Sequence, residues 1–271
     1  MIGFIGGGNM AGALIKGLIS TGVKDIIVSE PDTSRCNYLI KEFGVIAVSD
    51  NKKAASTSDI LILAVKPQII KGILDEIKGS LNDNTIIVSI AAGITLSLLK
   101  KKLMKQKIVR IMPNTPALVL EAMSVISFSE GMSIIDQNEV IKLFKSAGKV
   151  LVLPENQMNA VTALSGSGPA FIAYFTQAMI QGGITQGLDE QSAKTLAIQT
   201  LIGTAKLLEE TSPWALIKQV TSPGGTTEAG LKVLNARHAD DIIRETILAA
   251  KSRGDELGED SGYQVIAKPI K

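Results

Sequence analysis

At 271 residues the chain exceeds the size at which one hydrophobic core usually stops growing, so one large domain or two smaller ones are expected, two before one. Apolar residues make up 45% and charged residues 20%, which excludes a disordered protein, and a net charge of +2 without a large basic patch excludes an electrostatic footprint for nucleic acid. A single cysteine, Cys36, excludes an internal disulfide and any multi-cysteine zinc or iron-sulfur site.

The chain passes from Met1 directly into an apolar segment, with no basic stretch and no small-residue cleavage site. No signal peptide is expected, and the cytoplasm is the default location. Short β-rich runs then alternate with helical segments: Ile2 to Ile5, Ile26 to Ser29, Val45 to Val48, Ile60 to Val65, Thr85 to Ile90 and Ile108 to Ile111. That rhythm predicts an α/β fold, a parallel sheet joined by crossover helices. Lys100, Lys101 and Lys102 read as a solvated helix end. Further strands are predicted at Ala122 to Ser127 and Val150 to Leu153, with a helix around Asn138 to Ala147 between them. After Pro154 the strand pattern stops.

From there apolar residues recur at helical spacing, as in Ala193, Leu196, Ala197, Thr200, Leu201, Ala205 and Leu208. Ser212-Pro213 reads as an N-cap with a first-turn proline, and helices are predicted at Thr226 to Asn235 and Ala239 to Leu257. The predicted domains are therefore 1–154, α/β, and 155–271, all-helical. Ala170 to Gln181 is apolar nearly all round and must be buried on every side. A small helical domain rarely achieves that alone, so an intersubunit interface is expected, with the central helix of a monomeric bundle as the alternative. Mean hydropathy is high, at +0.26. Yet the uncharged runs Asn84 to Leu99 and Asn156 to Leu188 carry glycine, hydroxyl and amide residues that are costly in lipid, so no membrane span is expected.

Gly6-Gly7-Gly8-Asn9-Met10-Ala11 fits G-x-G-x-x-A between a predicted strand and helix, the setting that a dinucleotide fingerprint requires. Gly6 permits the turn, Gly8 lets backbone approach a pyrophosphate, and Ala11 lets the helix pack close. Glu30 ends the next strand about twenty residues on, where an acid accepts from a ribose 2′-hydroxyl. Its carboxylate favours NADH; Thr33, Ser34 and Arg35 follow directly and suit a 2′-phosphate. Both cofactors, NADH and NADPH, stay open.

Beyond the strand ends lie Ala64-Val65-Lys66-Pro67 and Met112-Pro113-Asn114-Thr115-Pro116. The helical half adds Leu164-Ser165-Gly166-Ser167-Gly168-Pro169 and Val220 to Thr227, two helix starts whose amides and hydroxyls suit a carboxylate. His238, the only histidine, reads as a surface residue, and no metal constellation is visible. Chemistry without histidine or metal suits hydride addition to an electrophilic C=N bond.

At these segments the sequence resembles the pyrroline-5-carboxylate reductases, over nearly the whole chain. The resemblance rests on the Gly-Phe-Ile-Gly start, Leu63 to Pro67, Ala91-Ala92-Gly93, Met112 to Pro116, Leu164 to Pro169, and Ser222-Pro223-Gly224-Gly225-Thr226-Thr227. It implies a Rossmann-type N-terminal domain, a helical C-terminal dimerisation domain, and assembly of dimers into a larger ring such as a decamer. Cofactor contacts carry over to Gly6, Gly7, Gly8, Asn9, Met10 and Ala11, to Ser29 and its following loop with Glu30 and Arg35, and to Asn51. They extend to Ala64, Val65, Lys66, Pro67, Ala91, Ala92 and Gly93. Substrate contacts carry over to Ser165, Gly166, Ser167 and Gly168, and to Gly224, Gly225, Thr226 and Thr227, with Thr227 hydrogen-bonded to the imine nitrogen. The family is described as preferring NADPH, which Glu30 opposes. A β-hydroxyacid dehydrogenase or related imine reductase is the nearest rival, but Lys194 and Lys206 lack the glycine-rich setting of its catalytic lysine. A dinucleotide-binding redox sensor without catalysis is the rival of a different class.

Overall fold

The computed structural model describes residues 1–260. All eight predicted strands form: β1 (Ile2–Ile5), β2 (Ile26–Ser29), β3 (Ile46–Val48), β4 (Ile60–Leu63), β5 (Ile86–Ser89), β6 (Lys107–Met112), β7 (Ala122–Phe128) and β8 (Gly148–Val152). Helices α1 (Asn9–Ser20), α2 (Thr33–Phe43), α3 (Asn51–Thr57), α4 (Pro67–Ile77), α5 (Leu96–Lys102) and α6 (Ile134–Lys145) connect them. The sheet order is β3-β2-β1-β4-β5-β6-β7-β8. Its first six strands are parallel in the order of a dinucleotide-binding sheet.

The strand residues alternate between two buried faces, which is why they read as continuous apolar runs. Phe4, Val28, Ile62, Val88 and Val109 pack against Leu14, Ile15 and Leu18 of α1. Ile5, Leu61, Leu63, Ile87 and Ile108 pack against Ile70 and Leu74 of α4 and Leu98 and Leu99 of α5. Each such fully buried side chain contributes roughly 1.5–3 kcal/mol. The register aligns Ile5 with Ser29 and with Leu63, so the carboxyl ends of β1, β2 and β4 are level.

The sheet departs from the predicted parallel rhythm once. β7 runs antiparallel to β6 because the link from Met112 to Ala122 holds a single 3-10 turn, Thr115–Val119, too short for a crossover. Helix α6 also starts earlier than its predicted span, because the Ser133 hydroxyl accepts the Asp136 amide as N-cap. The lysine cluster does close α5, with Lys102 paired to Asp75.

Past β8 come α7 (Met158–Val161), a π-turn (Thr162–Gly166), α8 (Gly168–Thr185), α9 (Glu190–Leu207), α10 (Pro213–Val220, capped by Ser212), α11 (Thr226–Ala236) and α12 (Ala239–Asp260). By compactness the units part between Ser167 and Gly168, and the first also takes the described chain from Ala250 to Asp260. Residues after Pro154 stay with the sheet because Met158 and Ala163 are fully buried there.

A polar network holds that return. Arg110 on β6, only 6% exposed, donates to Glu155 at 3.2 Å and to Asn159 at 3.4 Å. Glu155 also accepts the Leu96 amide at 2.6 Å, while Asn159 donates to Asp255, which pairs with Lys251 on α12. Burial pushes the Arg110 guanidinium down from its ordinary value, and the Glu155 charge opposes that shift. Glu155→Ala leaves this guanidinium without its carboxylate, so unfolding in urea should show a loss of about 2–3 kcal/mol. Wild-type stability in that variant would assign the compensation to Asn159 alone.

In the second unit α8 packs along α9, and its small core is Ile180, Ala193 and Ala197 with Ile184 against them. The Ala170 to Gln181 segment lies in α8 but is not buried by its own chain: Ile172, Tyr174, Phe175 and Met179 are exposed, Tyr174 to 76%. Among the described residues no helix is long and apolar enough to cross a membrane.

Candidate active site

The glycine turn sits where predicted, between β1 and α1. Gly6 has φ +95°, and a Cβ there would stand 2.6 Å from the Ala64 carbonyl oxygen, so only glycine fits without displacing backbone. Gly7 is buried, and a Cβ on it would meet Leu39. Gly8, the N-cap of α1, differs from both: its φ is −64°, and a Cβ would meet nothing within 4 Å. No steric contact requires glycine there. Space beside a helix N-terminus, kept open by the lack of a side chain, fits the approach of a pyrophosphate. Asn9 and Met10 open α1, and Ala11 is buried.

Two side chains from the β2–α2 segment brace this turn. Glu30 accepts the Gly7 amide at 2.8 Å with one carboxylate oxygen and the Asp32 amide at 3.1 Å with the other. Arg35 donates through Nε to the Gly7 carbonyl at 2.5 Å and through Nη2 to that of Gly8 at 3.1 Å, with its guanidinium 4.6 Å from the Tyr38 ring centroid. Ser34 and Arg35 also donate their amides to Asp32, the N-cap of α2, and the Ser34 hydroxyl bonds the same carboxylate oxygen. The Ser34 hydroxyl, with those amides, holds the Asp32 carboxyl below its usual range. Two carboxylates therefore stand at the end of β2.

The remaining cofactor candidates line the same carboxyl edge. Ser29 donates to Asn51 at 2.8 Å, and Asn51 donates on to Glu76 at 2.9 Å, which fixes the amide. Ala64 donates its amide to Ile5, Val65 is half-buried, Lys66 caps α4 and Pro67 begins it. Ala91 is buried, Ala92 exposed, and Gly93 takes φ +75° beside the Leu257 carbonyl of α12.

Next to this edge, Asn114 follows β6 and faces the π-turn. Its amide nitrogen is 3.3 Å from both the carbonyl and the hydroxyl oxygen of Ser165, and its Oδ1 accepts the Met123 amide at 2.9 Å. A Cβ on Gly166 would strike the Met112 side chain at 2.6 Å, and the Ser167 amide donates to the Thr162 carbonyl. Ser165, Gly166 and Ser167 thus close the first unit, and Gly168 begins α8 in the second.

Also in the second unit, Gly224 has φ +72° and Gly225 is the N-cap of α11, followed by Thr226 and the half-buried Thr227. The Gly224 amide donates to Glu228 at 2.8 Å and the Gly225 amide to the Ser222 carbonyl at 3.0 Å. His238, at φ 52° before α12, has a side chain 77% exposed. No three of His, Cys, Asp and Glu are grouped to hold a metal among the described residues.

Comparison with known proteins bears on both units. Residues 155–257 match the family model described as pyrroline-5-carboxylate reductase dimerisation. A pyrroline-5-carboxylate reductase of Synechocystis is 40% identical, with 95% of this chain and 98% of that relative covered. The chain belongs to the pyrroline-5-carboxylate reductase family. Residues 1–93 match the model described as NADP oxidoreductase, coenzyme F420-dependent. Among solved structures, the Coxiella burnetii pyrroline-5-carboxylate reductase superposes with a TM-score of 0.88 at 35% identity, covering 94% of this chain and 97% of that one. A Plasmodium falciparum pyrroline carboxylate reductase, solved with NADP bound, gives 0.86 at 28% identity, covering 95% and 97%.

Four further residues contribute beyond those the motifs name. Asn114 was visible only as part of a proline-rich turn, and Asp32 only as a D-x-S capping pattern. Arg110 and Glu155, 45 residues apart, carry no local signal. Glu30 and Arg35 were expected at the dinucleotide, and the structure adds that both hold the turn itself.

Proposed function

We propose that the chain reduces the C=N bond of 1-pyrroline-5-carboxylate with NADH or NADPH to give L-proline, the last step of proline synthesis. Family membership across 95% of the chain carries this reading. The decisive assay is pyrroline-dependent oxidation of reduced cofactor, followed at the nicotinamide absorbance. No oxidation with either cofactor would refute the reading.

The bound reduced nicotinamide supplies the hydride. Gly6, Gly7, Gly8, Asn9, Met10 and Ala11 hold its pyrophosphate, Ser29, Glu30, Arg35 and Asn51 the adenosine side, and Ala64 to Pro67 with Ala91 to Gly93 the remainder. In the first unit Ser165, Gly166 and Ser167 present hydroxyls and backbone to the substrate carboxylate. In the second, the Thr226 and Thr227 amides are the donors at the start of α11, because those of Gly224 and Gly225 are engaged. Gly168, Gly224 and Gly225 shape the turns, and the Thr227 hydroxyl serves the ring nitrogen.

Glu30 and Asp32 oppose a 2′-phosphate by charge. Glu30→Ser also loosens the turn, which affects both cofactors, but the ratio of kcat/KM for NADPH over NADH isolates the charge. That ratio should rise about tenfold. An unchanged ratio would remove Glu30 from cofactor choice.

The exposed apolar side chains of α8, in a region matching a dimerisation model, support self-association. Sedimentation at micromolar concentration should give at least twice the 28.6 kDa of one chain, with a decamer as the larger assembly. A sharp monomer boundary would refute both. Cytoplasmic location is part of the same proposal.

A further inference from the structure

We infer that Asn114 is a positioning residue, which holds Ser165 in the geometry that receives the substrate carboxylate. The inference rests on the proposed role of Ser165 and adds to it the group that sets the serine's place.

Ser165 lies in the π-turn, where the Ser167 amide reaches back five residues to the Thr162 carbonyl. In an ordinary helical ladder the Ser165 carbonyl accepts from residue 169, but that residue is Pro169 and has no N–H. A half-buried carbonyl without its ladder donor needs another. Asn114 supplies it: one amide nitrogen stands 3.3 Å from the Ser165 carbonyl oxygen and 3.3 Å from Oγ.

The orientation of the amide is determined, because the Met123 N–H can only donate and lies 2.9 Å from Oδ1. Asn114 therefore ties β7 to the π-turn, and its nitrogen can point nowhere but toward Ser165. By accepting at Oγ, the serine leaves its own hydroxyl proton directed away from Asn114. Met112, two residues before, takes the space that a Cβ on Gly166 would need. The loop after β6 thus sets both neighbours in the turn without needing to touch substrate.

Asn114→Asp tests this directly. It keeps the acceptor for Met123 and the shape, but sets a carboxylate oxygen against the Ser165 carbonyl. KM for 1-pyrroline-5-carboxylate and Kd for L-proline by calorimetry should each rise about tenfold, with kcat within about threefold, cofactor Kd unchanged and the melting temperature close to wild type. Asn114→Ala, which loses all three contacts, should show the same rise in KM together with lower stability. Wild-type KM and proline affinity in the folded Asp variant would overturn the inference. So would an equal loss of cofactor affinity, which would move Asn114 to the dinucleotide. The wild-type protein's turnover tests the proposed reaction separately, since the inference is read from variant-to-wild-type ratios.

Discussion

Thr227→Ala is expected to lower kcat about a hundredfold while cofactor affinity and melting temperature stay near wild type. The chain offers few other groups for the ring nitrogen. Its only histidine is an exposed residue outside the glycine-rich segments, and no carboxylate triad or metal cluster is present among the described residues. Thr227 is in the first turn of α11, directly after a stretch that only glycine can form: Gly224 has φ +72°, and a Cβ on Gly225 would strike the Ser222 hydroxyl at 2.5 Å. Loss of one well-placed donor to a reacting heteroatom costs on the order of 10²–10³ in rate. The fold should tolerate the change, because Gly225 rather than Thr227 caps the helix. Thr227→Ser, which keeps the hydroxyl, should recover most of the activity. Full turnover in the alanine variant would reject the role; loss in both variants alike would assign the effect to the methyl group.

Gly8→Ala is expected to weaken cofactor binding about a hundredfold without lowering stability. The three glycines of the turn separate here. Alanine at Gly6 would meet the Ala64 carbonyl at a positive φ, and alanine at Gly7 would meet Leu39, so either substitution perturbs the fold itself. At Gly8 the backbone is one that alanine adopts readily, and the added methyl meets no protein atom. The unfolded-chain gain from replacing glycine, about 0.4–1 kcal/mol, roughly offsets the poorer capping by alanine. The methyl instead occupies the approach to the first-turn amides of α1. A displacement of about 1 Å in a bound group is enough for a hundredfold effect. Titration of cofactor fluorescence against each variant, with melting curves alongside, distinguishes the positions. Unaltered affinity in Gly8→Ala would place the pyrophosphate elsewhere.

Both expectations use residues that were legible as sequence, and the structure changed their meaning rather than their identity. The spacing of Glu30 suits a ribose acceptor, but its carboxylate also holds the Gly7 and Asp32 amides. The position of Arg35 suits a phosphate partner, but two of its nitrogens hold the Gly7 and Gly8 carbonyls. Ser165 is legible in its motif, but its tie to Asn114 spans 51 residues and has no local trace. The direction of β7 is not legible in the sequence for a different reason: strand propensity carries no direction, and only the short link after β6 decides it.

The sequence by itself determined the order of strands and helices, the glycine turn and the reductase family. Periodicity, φ preference and short motifs are local properties that survive in a linear reading. Only the tertiary structure decided that the chain after Pro154 remains with the sheet through Ser167, that Arg110 meets Glu155, and that Asn114 supplies the donor that Pro169 lacks. Those outcomes depend on which distant surfaces pack together, and a buried charge or carbonyl finds its partner only once that packing exists.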